Sequence, residues 1–189
     1  RSDLAQVNLI TLGHLDQYNL DEIRSTRSYR EFVWSLTPTI CHYCLKYLKI
    51  KNIAFIDVDI EILSPPTNEI FDFMSSQREV MITPHGFEPS FDLSQNSGIF
   101  CVQFIIFKGN NTSIKIIEHW MAQCNLNSSS QSSHDVFGDQ FYLNEWPSEY
   151  GDIIYIYQQK ERFQAPWNTN RFPYSEAFLY HFQGFRVIS

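Results

Sequence analysis

Basic residues are scarce in this sequence, and they are not clustered. The 189 residues include 14 Lys and Arg against 21 Asp and Glu, which gives a formal net charge of −7 at pH 7. A surface that binds nucleic acid needs positive charge concentrated on one face. The charge balance therefore argues against nucleic acid as the partner.

Long apolar runs are also missing. No segment approaches the roughly 20 consecutive apolar residues that a membrane-spanning helix requires, and no signal peptide opens the sequence. The opening residues 1–3, Arg-Ser-Asp, predict that the chain is a processed or trimmed piece of a longer protein. We expect a cytoplasmic location, with or without association with a membrane surface. Three Asn-x-Ser/Thr sequons, at residues 110, 111 and 127, leave a secretory lumen open.

Only four cysteines occur, at irregular spacing: Cys41, Cys44, Cys101 and Cys124. The Cys-x-x-Cys spacing of the first two is one that metal and redox sites use. However, Cys41, Cys44, Leu45 and Leu48 fall at i, i+3, i+4 and i+7, which is one face of a helix. A zinc site also needs a second ligand pair, and the neighbouring sequence offers none. We therefore interpret the cysteines as core thiols of a protein in a reducing compartment.

The remaining composition is that of an ordinary globular protein. Hydrophobic residues make up 43% and charged residues 19% of the chain, so a folded core is expected. The length predicts a single domain over residues 1–189. The aromatic share of 16% suits either a dense core or a pocket that stacks on sugars and bases.

Strand and helix patterns alternate along the chain. Strands are predicted at residues 7–11, 53–59, 80–83, 99–107, 153–157 and 176–181, with a further short strand that stops at Ser64. Residues 127–133 are predicted to form a polar, Ser-rich loop. Helices are predicted at residues 21–27, 29–36, 37–49, 68–75, 113–124 and 138–147. Thr37 and Pro38 separate the second and third of these, as N-cap and first helical residue. The alternation predicts a layered α/β domain with a mostly parallel central sheet.

The buried strand predicted at residues 53–59 ends on two carboxylates one residue apart. In a strand, positions i and i+2 share a face, so Asp57 and Asp59 are expected to point at the same place. Hard oxygen ligands of this kind suit Mg²⁺ or Mn²⁺ carrying a phosphorylated substrate. Taken alone, the pair is equally a solvated strand end or turn. Phosphatases of the haloacid-dehalogenase type also use Asp-x-Asp after a strand, but they need Thr or Val where Glu61 stands, together with a downstream acidic pair that is not found.

Several sequence blocks, taken together, resemble the nucleotide-diphospho-sugar transferases of the A-type glycosyltransferase (GT-A) fold, in particular their retaining, galactosyltransferase-like branch. The blocks occur in the family's order and span almost the whole chain. They are residues 29–38 (YREFVWSLTP), 55–59 (FIDVD), 82–85 (ITPH), 96–104 (NSGIFCVQF), 138–143 (GDQFYL), 165–168 (APWN) and 180–182 (YHF).

The resemblance implies a metal site that holds the donor substrate. Asp59 and His181 would ligate Mn²⁺ (or Mg²⁺) directly, and Asp57 would contact the metal's water shell or the donor's ribose. A neutral imidazole beside two carboxylates is a plausible Mn²⁺ site. Without the resemblance, a hydrogen-bonded histidine at the end of a strand is the favoured interpretation of His181.

The resemblance also implies residues for the transferred sugar. Asn96, Ser97 and Gly98 would line the donor sugar, although a glycine before a central strand is equally a turn or bulge. Asp139 and Gln140 would lie beside the reacting carbon, bind hydroxyl groups and stabilise an oxocarbenium-like transition state. An Asp in this place is also what the N-terminus of a helix favours.

On the acceptor side, the resemblance assigns Trp167 and Asn168, where an aromatic face could stack on a sugar ring. A single Trp is also an ordinary core residue. His85 follows a predicted strand, in the loop expected to face the site, and is a candidate of second rank.

These patterns together predict a metal-dependent glycosyltransferase. It would transfer a hexose from a nucleoside-diphosphate sugar to a hydroxyl of a carbohydrate or glycoconjugate acceptor, with retention of configuration implied by the resemblance. The chain starts after the strand–helix unit that holds the base in most members. A non-catalytic remnant that binds carbohydrate or nucleotide is therefore the alternative.

Overall fold

The computed structural model of the protein describes residues 7–127 and 138–184. Most of the Ser-rich loop predicted at residues 127–133 lies outside these ranges. The helices are α1 (Leu20–Ser25), α2 (Tyr29–Lys46), α3 (Asn68–Ser75), α4 (Ser94–Ser97), α5 (Asn111–Leu126) and α6 (Trp146–Tyr150). The strands are β1 (Asn52–Ile56), β2 (Ile60–Ile62), β3 (Val80–Pro84), β4 (Phe100–Lys108), β5 (Ile154–Ile156), β6 (Phe163–Gln164) and β7 (Leu179–His181). Turns of 3₁₀ helix occur at Leu12–Tyr18, Pro89–Phe91, Gln140–Asn144, Gly151–Ile153, Lys160–Arg162 and Tyr174–Glu176.

The larger sheet is mixed, so the prediction of a mostly parallel sheet is wrong for the described residues. Its strand order is β1-β4-β3-β5. β4 is antiparallel to both of its neighbours, and only β3 and β5 pair in parallel. The chain after β3 folds back at the hydrogen bond from His85 N to Ile99 O (2.9 Å), so that β4 runs in the opposite direction beside β3. A smaller sheet has the order β2-β7-β6.

β4 is the central strand, as its long apolar run predicted. Phe100, Val102, Ile105 and Phe107 pack into one apolar cluster with residues of α2 and α5. Phe104 and Ile106 belong to a second cluster, which includes residues of α3 and the smaller sheet. Because both faces are covered, the strand is apolar on both sides. The alternation changes phase between residues 102 and 105, and the pairing with β3 shifts register between Met81 and Thr83.

β1 lies at an edge of the sheet and is not the buried strand that the sequence suggested. Its residues alternate between exposed and half-buried along the strand. The strand predicted at residues 7–11 is also wrong, because these residues have no regular structure and Val7 and Leu9 are exposed. Thr11 instead precedes a 3₁₀ turn, where its main-chain N–H donates to Nδ1 of His14 (3.0 Å).

One continuous helix, α2, replaces the two helices predicted on either side of residue 37. It begins at a capping box between Ser28 and Glu31 and continues through Pro38. An internal proline removes one main-chain N–H and favours a break. Tertiary packing overrides this preference here, because Pro38 is buried in the helix that packs against α5. The hydroxyls of Ser35 and Thr39 each donate to the carbonyl four residues earlier, at 2.9 and 3.0 Å.

The cysteines are free thiols, as predicted. Cys41, Cys101 and Cys124 are buried in the core and Cys44 is half-buried. Within residues 7–127 and 138–184, no helix combines the length and the apolar character needed to cross a bilayer.

Asn110 anchors the start of α5, and this generates a first prediction. Its Oδ1 accepts from the main-chain N–H groups of Thr112 and Ser113, both at 3.0 Å, and its Nδ2 donates to Glu79. Asn110→Ala is expected to lower the free energy of unfolding by about 1–2 kcal/mol in urea titrations, because it leaves these two N–H groups without the cap. Asn111→Ala is the matched control, since the neighbouring exposed asparagine is not the cap. Equal destabilisation by both substitutions would contradict this assignment.

Candidate active site

Asp57 and Asp59 lie in the turn that joins β1 to β2. The turn is held from both sides: the main-chain N–H of Asp57 donates to Gln103 O (3.2 Å), and the N–H of Phe182 donates to Asp59 O (2.8 Å). Val58, between the two aspartates, is fully exposed to solvent. The two carboxylates therefore converge through the turn, and not through the strand alternation that the sequence suggested.

His181 brings the third candidate ligand to this turn from the last residue of β7. β2 and β7 are antiparallel with Ile60 opposite His181, which places the imidazole beside the preceding turn. Its Nε2 lies 3.0 Å from Oδ1 of Asp59 and 3.8 Å from Oδ2 of Asp57. The ring is buried, and the ring of Trp167 packs edge to face against it with centroids 5.5 Å apart.

The three side chains fit a divalent cation. Each of Asp57, Asp59 and His181 offers one ligand atom, and these atoms all lie within 4.8 Å of one another. Two carboxylates with one imidazole form a donor set that Mn²⁺ accepts readily. Nδ1 of His181 lies 3.1 Å from Oε1 of Gln103, so Nε2 is the nitrogen that faces the carboxylates.

These side chains line a cavity of about 320 Å³ between α2, the sheet and residues 138–140. Asp57, Asp59 and Asp139 supply three carboxylates to its wall, and no Lys or Arg lies among the described residues that line it. Burial raises the pKa of Asp57, His181 opposes this effect, and the charge of Asp59 adds to it. The cavity therefore concentrates negative charge in a partly desolvated space.

Asp139 and Gln140 form the wall beside the metal-ligand candidates. Asp139 is buried, and burial raises the pKa of its carboxyl to about 7, against the lowering effect of a hydrogen bond from Thr37. Gln140 begins a 3₁₀ turn, and its Nε2 donates to Ser97 O at 2.8 Å. The helix predicted to begin at these residues is this 3₁₀ turn followed by α6.

A second cavity of about 370 Å³ adjoins the first, and Gln140 and Gln183 line both. Its wall includes Ser97, Trp167 and His85. The His85 ring is stacked on Phe87 with centroids 4.6 Å apart, and its buried Nδ1 has no hydrogen-bond partner among the described residues. Burial lowers the pKa of His85 to about 4.

Three residues that the sequence assigned to the site are not among the residues that line these walls: Asn96, Gly98 and Asn168. Asn96 is exposed in α4 and is not among the residues that line either cavity. Asn168 is fully buried: its Oδ1 accepts from Ala165 N (2.9 Å), and its Nδ2 donates to the carbonyls of His85 (2.9 Å) and Phe163 (3.0 Å). Asn168 therefore holds the backbone beneath Trp167.

Gly98 adopts a φ of +88°, which side-chain-bearing residues rarely do. A Cβ at this position would lie 3.2 Å from Oδ1 of Asn144, the atom that accepts from Ile99 N (2.8 Å). The glycine is therefore required by the turn that leads into β4, whatever else it contacts.

Residues that line or support the site but were not assigned to it from the sequence include Trp34, Thr37, Gln103 and Gln183. Gln103 is a buried polar residue among the apolar residues of β4, and this was the available signal, because a buried polar group usually has a specific partner. Thr37 did not stand out in the same way, because other polar residues of α2 are buried beside it. Trp34 and Gln183 carry no comparable signal in the sequence.

The fold can be compared with solved structures. The crystal structure of the apo form of mouse xyloside xylosyltransferase 1 superposes with a TM-score of 0.53 over 92% of this chain and 73% of that chain, at 11% identity. A glycosyltransferase involved in the glycosylation of the major capsid of PBCV-1 matches with a TM-score of 0.53, over 82% of this chain and 71% of that one, at 8% identity. The chain has a glycosyltransferase-like fold.

Sequence comparison finds relatives of this chain at low identity. Two uncharacterized proteins of Bacillus subtilis (strain 168), YfnF and YfnD, are 22% and 20% identical to it over 98% and 97% of its length. The alignments span 67% and 63% of those two proteins. No family model matches the sequence.

The raised pKa of Asp139 predicts a pH-dependent stability. The carboxyl has an ordinary value of 3.8 and a value of about 7 in the folded protein, so the folded state is penalised once the group is charged. The free energy of unfolding should therefore fall as pH rises through this window, by up to about 1.4 kcal/mol for each unit by which the pKa is raised. Asp139→Asn should remove most of this fall in urea titrations performed with EDTA.

Asp152→Asn is the control for this prediction, because Asp152 is an exposed aspartate and its replacement should leave the pH profile of stability unchanged. If Asp139→Asn keeps the wild-type slope of stability against pH, then burial does not disfavour the charged form of the Asp139 carboxyl.

Proposed function

We propose that the protein is a metal-dependent glycosyltransferase that moves a sugar from a nucleoside-diphosphate sugar to an acceptor hydroxyl. The observation that carries this proposal is the composition of the first cavity, with three carboxylates, one imidazole and no Lys or Arg among its described lining residues. A diphosphate is repelled by such a cavity unless a cation is bound there. The glycosyltransferase-like fold supports the same conclusion.

Asp57, Asp59 and His181 would hold the cation. When bound, Mn²⁺ or Mg²⁺ neutralises charge on the departing nucleoside diphosphate, which is the main chemical obstacle to transfer. Asp59 is the more exposed carboxylate and is held at its main chain by Phe182, so it can reach the cation without moving the turn. Asp57 is the less exposed of the two and is suited to contact the donor's ribose as well.

The donor sugar would occupy the region where the two cavities meet. Ser97 lines the second cavity, Gly98 keeps the backbone before β4 free of a side chain, and Asn96 lies in the same segment. Asp139 and Gln140 would bind sugar hydroxyls there and stabilise the oxocarbenium-like transition state. The hydrogen bond from Gln140 to Ser97 O fixes the amide at this junction.

The acceptor would enter from the second cavity. Trp167 lines it, and Asn168 supports the backbone beneath. A third depression, of about 590 Å³, continues from Gln183 and is lined by aromatic rings of Tyr174, Tyr180 and Phe182. Aromatic faces of this kind suit a carbohydrate or glycoconjugate acceptor. We propose transfer with retention of configuration, which only the resemblance of the sequence blocks to the retaining branch implies.

The test is calorimetric titration with a panel of nucleoside-diphosphate sugars, with Mn²⁺ and with EDTA. At least one donor should bind in the presence of Mn²⁺, and Asp59→Asn should abolish the metal-dependent part of the heat because a cation ligand is lost. Asp72→Asn, which changes an exposed aspartate of α3, is the matched control and should bind as the wild type does.

One result would refute this proposal, and another would replace it with the alternative function. The absence of binding for any donor in the wild-type protein would refute the transferase assignment for this chain. Binding of donor and Mn²⁺ without transfer to a panel of glycoside acceptors would instead identify a carbohydrate- or nucleotide-binding remnant.

Replacement of Gln140 tests whether this residue affects the rate of sugar transfer more than the affinity for the donor. Gln140→Leu should weaken Mn²⁺-dependent donor binding by less than about tenfold but lower the rate of sugar transfer by about 10²–10³-fold, since its contact with the sugar is expected to be stronger in the transition state than in the ground state. Gln77→Leu, at an exposed glutamine, should change neither quantity. A loss of donor affinity equal to the loss of rate would assign Gln140 to ground-state binding.

A further inference from the structure

Gln103 is a fully buried polar residue on the central strand. It stands among apolar neighbours in β4, at the place where the strand changes phase and its pairing with β3 is irregular. Irregular strand segments of this kind re-aim a side chain, and they often occur beside active sites. In a regular continuation of the strand this position would belong to the apolar packing.

The residue contacts both segments that carry the candidate metal ligands. Its main-chain carbonyl accepts from the N–H of Asp57 (3.2 Å), which fixes the start of the turn. Its side-chain Oε1 lies 3.1 Å from Nδ1 of His181. One residue of β4 therefore sets the position of the aspartate turn and the orientation of the imidazole.

The side-chain contact also decides which nitrogen of His181 can bind a cation. A neutral imidazole carries one proton, and a metal ligand must present a nitrogen lone pair. When Nδ1–H donates to the side-chain carbonyl of Gln103, the proton is on Nδ1 and the lone pair of Nε2 faces Asp57 and Asp59. Partners of this kind on the far side of a ligating histidine commonly raise metal affinity.

The other end of the Gln103 amide supports the same interpretation. Its Nε2 is buried and has no hydrogen-bond partner among the described residues. An unpaired buried amide costs about 1–3 kcal/mol, so local hydrogen bonding alone does not explain a glutamine here. An apolar side chain of similar length would satisfy the core better.

We propose that Gln103 is the positioning residue of the metal site, holding His181 in the tautomer and orientation that let Nε2 bind the cation. The inference rests on the proposed function in one respect, namely that Asp57, Asp59 and His181 bind a divalent metal. It adds that the affinity of this site for the metal is set from β4 by a residue that does not touch the metal.

The experiment compares the dissociation constant for Mn²⁺, measured by calorimetry without any nucleotide, in the wild-type protein and two variants. Gln103→Met keeps the length of the side chain but removes the acceptor, and it should weaken Mn²⁺ binding by about 10–100-fold. Gln103→Glu keeps an acceptor facing Nδ1 and should restore most of the affinity. In Mg²⁺-loaded protein, the ¹⁵N shifts of His181 should report a proton on Nδ1 in the wild type and a loss of this preference in Gln103→Met.

Gln164→Met is the matched control for folding. Gln164 is also fully buried, but its Nε2 donates to the carbonyls of Glu161 (2.9 Å) and Pro173 (2.8 Å), neither of which is a metal-ligand candidate. Its replacement should lower the melting temperature without changing the Mn²⁺ affinity.

The outcomes separate this inference from the proposed function. If the wild type binds no Mn²⁺, both fail. If the wild type binds Mn²⁺ and folded Gln103→Met binds it equally well, only the role of Gln103 is overturned. That role is likewise overturned if Gln103→Glu binds as weakly as Gln103→Met, or if Gln164→Met is impaired to the same degree.

Discussion

The candidate site depends on the irregularity in β4. The strand is covered on both faces, and its apolar residues change from one alternation to the other between Val102 and Ile105. Where the pairing of β3 with β4 is irregular, the hydroxyl of Thr83 in β3 donates to Phe104 O (3.2 Å). This hydrogen bond gives the irregular segment of β4 a partner on the neighbouring strand. The shift leaves Gln103 facing the turn after β1 and the end of β7. Gln103 thereby contacts both the main chain of Asp57 and the imidazole of His181.

Electrostatic repulsion makes this group of carboxylates unfavourable unless positive charge lies beside it. Three carboxylates in one partly buried cavity repel one another, and burial raises the pKa of both Asp57 and Asp139. Charges a few ångströms apart interact by several kcal/mol at the dielectric constant of a protein surface. His181 offsets part of this repulsion for Asp57. A bound cation would offset much more, so the arrangement is better suited to metal binding than to the stability of the metal-free protein.

Local patterns predicted much of the secondary structure. Residues 68–75 form α3 with the predicted bounds, and β4 and α5 lie within two residues of theirs at each end, because apolar periodicity and caps are local signals. The predictions that failed are those that depend on tertiary structure. Pro38 continues a helix because its packing face is buried, and the direction of β4 depends on how residues 85–99 fold back. Neither is encoded in spacing along the chain.

The site was predicted unevenly for the same reason. Asp57 and Asp59 stood out by their spacing, whereas His181 was assigned only through resemblance, and the structure brings all three together. Asn168 matched a family block but uses both ends of its amide on backbone groups. Gln103 was visible as a polar residue inside an apolar strand, yet its partner, 78 positions later in the chain, required the fold.

Charged and aromatic residues are distributed unevenly along the three depressions. The carboxylates lie at one end, Gln140 and Gln183 lie where the first two cavities meet, and Gln183 also borders the aromatic depression beyond. Charge therefore decreases and aromatic surface increases along the path. If a cation were bound at the carboxylates, as proposed above, the diphosphate of a donor would lie at that end and its sugar would lie at Gln140. The acceptor would then be left with the aromatic side, and under the proposed function the gradient would fix both the donor's orientation and the direction of attack.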